Sequence, residues 1–355
     1  MLKVIIQALC LFGVIMLAFT VYDLMDAFRT WVSRIGIGKW HGDLSKWREA
    51  VERKATRWLK HTPRIAKSDN RRFILLDILK GNRYSGTIQS WQVASLVLGL
   101  EESVLRRYLD KDRSIIGLFD KEIDSALLAY ALYTKDMLPE TLKNSLYSHF
   151  SQFTSGTVEY RSSMPGLRYV DSIGFLCPLL YSMGLDDLAD RQIREFDPVL
   201  FDGCFPPHAL DLGSSMPLGV YDWSRGLGWY VLGLLGSDRN RERIVKLAEK
   251  VIPFQKKDGS FGCFLFNPHS RKESSGTVMM GHLFVAAYKY KADPAFLDAA
   301  IAVEKALMSM TRRNGGIDFA QGDTKGIGIY STHFDIMPFV QGMALSLSKQ
   351  LDPFR

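Results

Sequence analysis

The chain has 355 residues, of which 47% are hydrophobic, 12% aromatic and 23% charged, which supplies apolar surface for a large core and excludes a disordered polymer or a peptide. Its four cysteines (Cys10, Cys177, Cys204, Cys263) lie far apart without a Cys-x-x-Cys pair, so neither a disulfide framework nor a zinc site is indicated and buried free thiols are expected. The net charge of +7 is concentrated: thirteen Lys or Arg stand against four acids between Arg29 and Arg72, and the rest of the chain is close to neutral, so no nucleic-acid partner is expected.

Val4 to Tyr22 is uncharged over 19 positions, enough at 1.5 Å per residue to cross a ~30 Å hydrocarbon core. Residues 1–28 are therefore expected to form a single-pass membrane anchor. A cleavable signal segment is the alternative; it fits less well because the apolar run passes into Val21-Tyr22-Asp23-Leu24-Met25 without a small-x-small site. Residues 29–43 follow as a basic juxtamembrane linker, in which Arg29, Arg34, Lys39, Trp31 and Trp40 suit an anionic interface. Lys3 and the amino terminus compete with these cations, so periplasmic and cytoplasmic placements of the remainder both stay open.

From Leu44 the pattern is helical, with Leu44, Trp47, Val51, Ala55, Trp58 and Leu59 near one face. Apolar-periodic stretches recur at about 69–80, 88–100, 102–109, 123–134, 138–152, 171–184, 186–195, 224–235, 239–255, 276–291, 294–311 and 334–351, separated by Gly, Pro, Asp or Asn punctuation. Strand-like alternation is scarce. About a dozen helices over residues 44–355 predict an all-α fold of six helical hairpins, an (α/α)6 barrel preceded by the N-terminal transmembrane helix; without a clear internal repeat a solenoid is disfavoured. Glycine-rich stretches such as Ser85-Gly86-Thr87, Gly203-Cys204-Phe205 and Gly322-Asp323-Thr324-Lys325-Gly326 would gather at one end and shape a pocket.

Phosphate-loop, dinucleotide, zincin and serine-hydrolase motifs do not occur, so no cofactor and no metal is expected. What stands out are acids at helix starts. Asp124 precedes Ser125-Ala126-Leu127-Leu128 and Asp171 precedes Ser172-Ile173-Gly174-Phe175. Each suits an N-cap; alternatively, two carboxylates facing one pocket divide an acid/base task, repulsion keeping one protonated. Trp223-Ser224-Arg225-Gly226-Leu227-Gly228-Trp229 crowds two indoles and a guanidinium around two glycines, a composition that stacks on sugar rings and forks onto carboxylates.

Val170-Asp171-Ser172-Ile173-Gly174-Phe175 with Pro178-Leu179-Leu180, then His208, then Trp223 to Trp229, then Glu273-Ser274-Ser275-Gly276-Thr277-Val278-Met279 resemble the unsaturated glucuronyl and rhamnogalacturonyl hydrolases, glycoside hydrolase families 88 and 105, over residues 44–351. The family fold is an (α/α)6 barrel. The resemblance implies that Asp171 is the general acid/base and Asp124 the second pocket carboxylate, with Asp120 as the alternative alignment. It implies that His208, Trp223, Arg225 and Trp229 bind substrate, that no metal is required, and that the partner is an acidic oligosaccharide or polysaccharide. The implied chemistry is hydration of a 4,5-unsaturated uronic acid: C4 is protonated, water adds at C5, and the hemiketal collapses. The chain departs from the family in Leu227, where a polar residue is usual, and in its anchor. Hydrolysis or lysis of an intact envelope or capsular polysaccharide, or a non-catalytic saccharide-binding barrel, are the alternatives.

Overall fold

The computed structural model describes residues 1–61, 63, 65–85, 88–109, 123–197 and 204–355. After α1 (Leu2–Arg34), six pairs of helices follow in chain order: α2 (Leu44–Lys60) with, beyond a short α3 (Ile74–Leu79), α4 (Ser90–Gly99); α5 (Glu102–Leu109) with α6 (Asp124–Tyr133); α7 (Glu140–Phe150) with α8 (Val170–Ser182); α9 (Asp186–Arg194) with α10 (Ser224–Leu234); α11 (Arg241–Val251) with α12 (Ser274–Lys291); and α13 (Pro294–Ser309) with α14 (Pro338–Leu351). The second helix of each pair packs against the next, from α4 through α6, α8, α10 and α12 to α14 and back to α4, which closes an inner ring. The fold is an (α/α)6 barrel.

Sequence separates the two rings by where apolar residues fall. The outer α9 and α11 bury only one stripe, Leu188, Ala189, Gln192 and Ile193 in α9 and Ile244, Ala248 and Val251 in α11, as expected of a helix with one face in water. The inner α8 buries everything but Asp171 and Ser182. Small residues let inner helices approach: a Cβ added at Gly99 of α4 would stand 2.3 Å from the carbonyl oxygen of Gly342 in α14, and one turn earlier the Ser95 hydroxyl reaches the Pro338 carbonyl, so the two helices run parallel.

Short strands tie the starts of the inner helices together. β1 (Leu167–Tyr169), β2 (Ala209–Asp211) and β3 (Met216–Leu218) form an antiparallel sheet before α8 and α10; β4 (Phe261–Gly262) pairs with β5 (Lys272–Glu273) before α12, and β6 (Ala320–Gln321) with β7 (Phe334–Asp335) before α14. Strands thus precede four of the inner helices, α4 runs parallel to α14, and Asp124 at the start of α6 pairs with Arg161 just ahead of β1, so all six inner helices begin at one mouth.

Two expectations change at the N-terminus. The helix expected over 69–80 is only Ile74–Leu79, because Phe73 takes a left-handed conformation (φ 57°) and both Asp23 oxygens accept the amides of Phe73 and Ile74 at 2.8 and 2.9 Å. The stretch 29–43 is not a free linker: α1 continues to Arg34, whose guanidinium binds the buried Asp318 at 2.7 and 2.9 Å and the Phe334 carbonyl at 2.8 Å. Arg312 holds the same Asp318 and also Asp335, and Trp40 donates to the Arg312 carbonyl. Among the cysteines, Cys177 and Cys263 are buried, but Cys10 is exposed on α1.

Candidate active site

Asp171 opens α8 directly after β1, and the β1–β2 ladder ends on a bond from the Val170 amide to the His208 carbonyl at 3.0 Å. Strand pairing thus brings His208 to Asp171, with Nε2 3.9 Å from Oδ2, beyond direct hydrogen-bond length. Asp171 Oδ2 is buried and accepts no hydrogen bond among the described residues. Burial pushes the Asp171 carboxyl up to about 7, aided by Asp124 and Asp323 and opposed by the Arg225 cation. Asp171 can therefore hold a proton near neutral pH, where an ordinary carboxyl is ionised.

His208 moves the other way, down to about 4, through burial and the Arg225 charge. Its Nδ1 accepts the Gly328 amide at 3.3 Å, so the neutral ring carries its proton on Nε2, facing Asp171. The indole of Trp223 lies 4.8 Å from this imidazole, and Tyr330 packs on both rings at 5.5 and 5.2 Å.

The segment between β6 and β7 organises this side of the mouth. The Gln321 side chain accepts the Trp223 indole N–H at 3.0 Å and donates to the Ser331 carbonyl at 2.9 Å. The buried Arg225 forks onto the carbonyls of Gln321 and Gly322, not onto a carboxylate. Glu273, fully buried at the start of α12, accepts the amides of Ser275, Gly276 and Gln321. The glycines of the Trp-to-Trp motif are there for packing: a Cβ at Gly226 would meet the Trp223 ring at 2.6 Å, and one at Gly228 the Met279 methyl at 2.2 Å.

Asp124 opens α6. It is paired with Arg161 at 3.0 Å, with the Tyr160 phenol beside it. Burial, with Asp124 and Asp171 nearby, raises the Tyr160 phenol, so it stays protonated. Asp120 lies outside the described residues. Trp229 is placed apart from the other sequence-derived residues. Six positions into α10, about 9 Å deeper than Trp223, its ring sits among Phe175, Phe339 and Trp91 at 4.7, 4.8 and 5.6 Å, forming an aromatic floor. Sequence reasoning did not single out Tyr160, Arg161, Tyr169, Tyr330, Gln321 or Asp323, which come from connecting segments without helical periodicity; for Asp323 the Gly-rich setting was the available signal. Among the described residues no cluster of three His, Cys, Asp or Glu could hold a metal.

No model of a protein family matches the chain, and a search of curated proteins found no match. Solved structures do match. A possible member of glycoside hydrolase family 105 from Klebsiella pneumoniae superposes with a TM-score of 0.66 at 13% identity, covering 88% of this chain and 95% of that one. The fold is shared. An unsaturated glucuronyl hydrolase responsible for glycosaminoglycan degradation, from a Bacillus species, superposes at 0.59 with 15% identity over 86% and 95% of the two chains. A polysaccharide lyase does so at 0.57 with 16% identity over 87% and 98%.

Proposed function

We propose that the protein is a membrane-anchored glycoside hydrolase that hydrates a 4,5-unsaturated uronic acid at the non-reducing end of an acidic saccharide. The observation that carries this reading is Asp171: a largely buried carboxyl raised to about 7, with its buried oxygen unpartnered among the described residues and facing a neutral imidazole. Delivering a proton to carbon requires an acid that still holds its proton at neutral pH. Asp171 protonates C4, the cation at C5 is stabilised by the neighbouring carboxylates, water adds at C5 and returns its proton to ionised Asp171, and the hemiketal opens to release the neighbouring sugar. Asp124, held by Arg161, is the second carboxylate. His208 and Trp223 line the saccharide, Arg225 fixes the 322–333 segment over it, and Trp229 supports the floor. No metal or cofactor enters these steps.

The anchor is α1, the one helix among the described residues long and apolar enough to cross a membrane. Removal of residues 1–28 as a signal sequence would also remove Asp23 and Asp26, which are bonded to α3 and Arg83, and this favours retention.

The likeness to a polysaccharide lyase, with Tyr160, Tyr169 and Tyr330 near Asp171, supports a second reading in which a phenolate eliminates across an intact uronate. Burial raises all three phenols, which disfavours the phenolate, so hydration is preferred. One assay separates them. Full-length protein in mild detergent, given lyase-generated unsaturated oligosaccharides and intact acidic polysaccharides, should abolish the enoate ultraviolet absorbance of the former. An absorbance rise with the latter would establish the lyase, and silence with both would leave a binding protein.

A further inference from the structure

Where α1 meets the barrel there is a cavity of about 410 Å³ whose lining includes Asp26, Trp31, Arg34, Arg71, Arg83 and Arg271. Its acids are largely committed: both oxygens of Asp23 cap α3, and Asp26 reaches Arg83 only at 3.5 Å. Its cations exceed them. Arg34 is held by Asp318, but the guanidiniums of Arg71 and Arg271 make no hydrogen bond or ion pair among the described residues, that of Arg271 resting on the Phe334 ring at 4.3 Å. Arg83 is 4% exposed, donates to the carbonyls of Ser68 and Asn70, and leaves its Nε without a partner among the described residues. Burial lowers the Arg271 pKa, and the nearby charges of Arg34 and Arg71 lower it further. Guanidiniums gathered this closely are short of an anion.

The cavity's position says which anion. Asp23 is the first charged residue after the uncharged Val4–Tyr22 stretch, so the lining begins within a turn of the end of the span. Exposed Phe28 and Trp31 lie on α1, and exposed Phe73 and Leu79 flank α3 as its N-cap and its last residue, an arrangement suited to the headgroup layer. We propose that this cavity binds the phosphate of an anionic lipid headgroup and thereby fixes α1 against the barrel. The proposal rests on the reading of α1 as a membrane anchor.

The test uses full-length protein in mild detergent, titrated separately with phosphatidylglycerol, phosphatidylcholine and inorganic phosphate, with adducts counted by native mass spectrometry and the melting temperature followed. One phosphatidylglycerol per chain and a raised melting temperature are expected, with no preference for phosphatidylcholine. Removing two surface-proximal arginines in Arg71→Ala/Arg271→Ala should weaken phosphatidylglycerol about 25-fold. Lys250→Ala, on the exposed face of α11, should not change it. Equal retention of both lipids, or unchanged retention in the double variant, would overturn the proposal; saturation by inorganic phosphate without preference for the lipid would overturn the lipid source. Alkaline carbonate extraction tests the anchor separately. Wild type and double variant should both stay in the membrane, so lost lipid binding with retained insertion supports the cavity, lipid indifference with retained insertion sinks the cavity alone, and release of wild type sinks both.

Discussion

Keeping Asp171 protonated has a thermodynamic cost that can be measured. In the unfolded chain its carboxyl titrates at the ordinary 3.8, in the folded protein at about 7. Below about pH 4 both states hold the proton and the residue costs nothing. Between about 4 and 7 the unfolded chain releases the proton while the native state retains it, so stability falls as pH rises, and above about 7 the whole cost applies. A gap of ~3 units corresponds to a ceiling of about 4 kcal/mol. The side chain retains 18% exposure, so water screens part of it and about 2 kcal/mol is the lower expectation. Asp171→Asn cannot ionise. It should therefore be about 2–4 kcal/mol more stable than wild type at pH 8 and no more stable at pH 4, while turning over no substrate at any pH. Urea unfolding followed by tryptophan fluorescence, in mild detergent from pH 4 to 8.5, reads the first effect. Wild-type turnover should fall about tenfold per pH unit above 7. A stability difference independent of pH, or wild-type activity flat to pH 9, would refute the argument.

Arg225→Lys keeps a charge beside Asp171 and His208 but loses the fork onto the Gln321 and Gly322 carbonyls; KM for an acidic saccharide should rise about tenfold and amide exchange in 322–333 accelerate, and unchanged values for both would make the fork incidental. Glu273→Ala leaves the Ser275, Gly276 and Gln321 amides without their acceptor, so a loss of about 3 kcal/mol in urea unfolding is expected, and a loss below about 1 kcal/mol would count against a capping role. Deleting residues 1–28 removes the Asp23 cap and the Asp26 contact, whereas deleting 1–20 removes neither; the longer deletion should give the lower melting temperature, and equal values would show that these contacts contribute nothing.

Six hairpins were legible because burial writes itself into helical sequence: the inner α8 and α12 are apolar or small nearly all round, while outer helices such as α11 alternate charge with an apolar stripe. Asp171 and Asp124 were legible because each interrupts such a pattern at its first turn. The lining between helices was less so. Tyr160, Tyr330 and Gln321 reach the site from segments whose path is set by tertiary contacts, including the Glu273 bond to the Gln321 amide and the Asp69 bonds to Ser331 and Thr332, and no local periodicity encodes those. Arg34 looked like one more interfacial cation because its partner, Asp318, lies 284 positions away.

Because all six inner helices start at one mouth, the barrel is an electrical object as well as a steric one. Each helix start contributes roughly half a positive charge, so the site has a background potential that would draw an anionic substrate, such as the proposed acidic saccharide, before any single side chain touches it. In the proposed reaction the same potential would resist a cation forming at C5. On the proposed mechanism, crowding Asp124, Asp171 and Asp323 into this mouth is then no contradiction: the backbone would recruit the anionic substrate, and the carboxylates would restore the local potential that its activated form requires. At the opposite mouth, where Lys289 stands in the last turn of α12, the backbone field has the other sign, and the same three acids placed there would lack the attraction proposed to bring the substrate in.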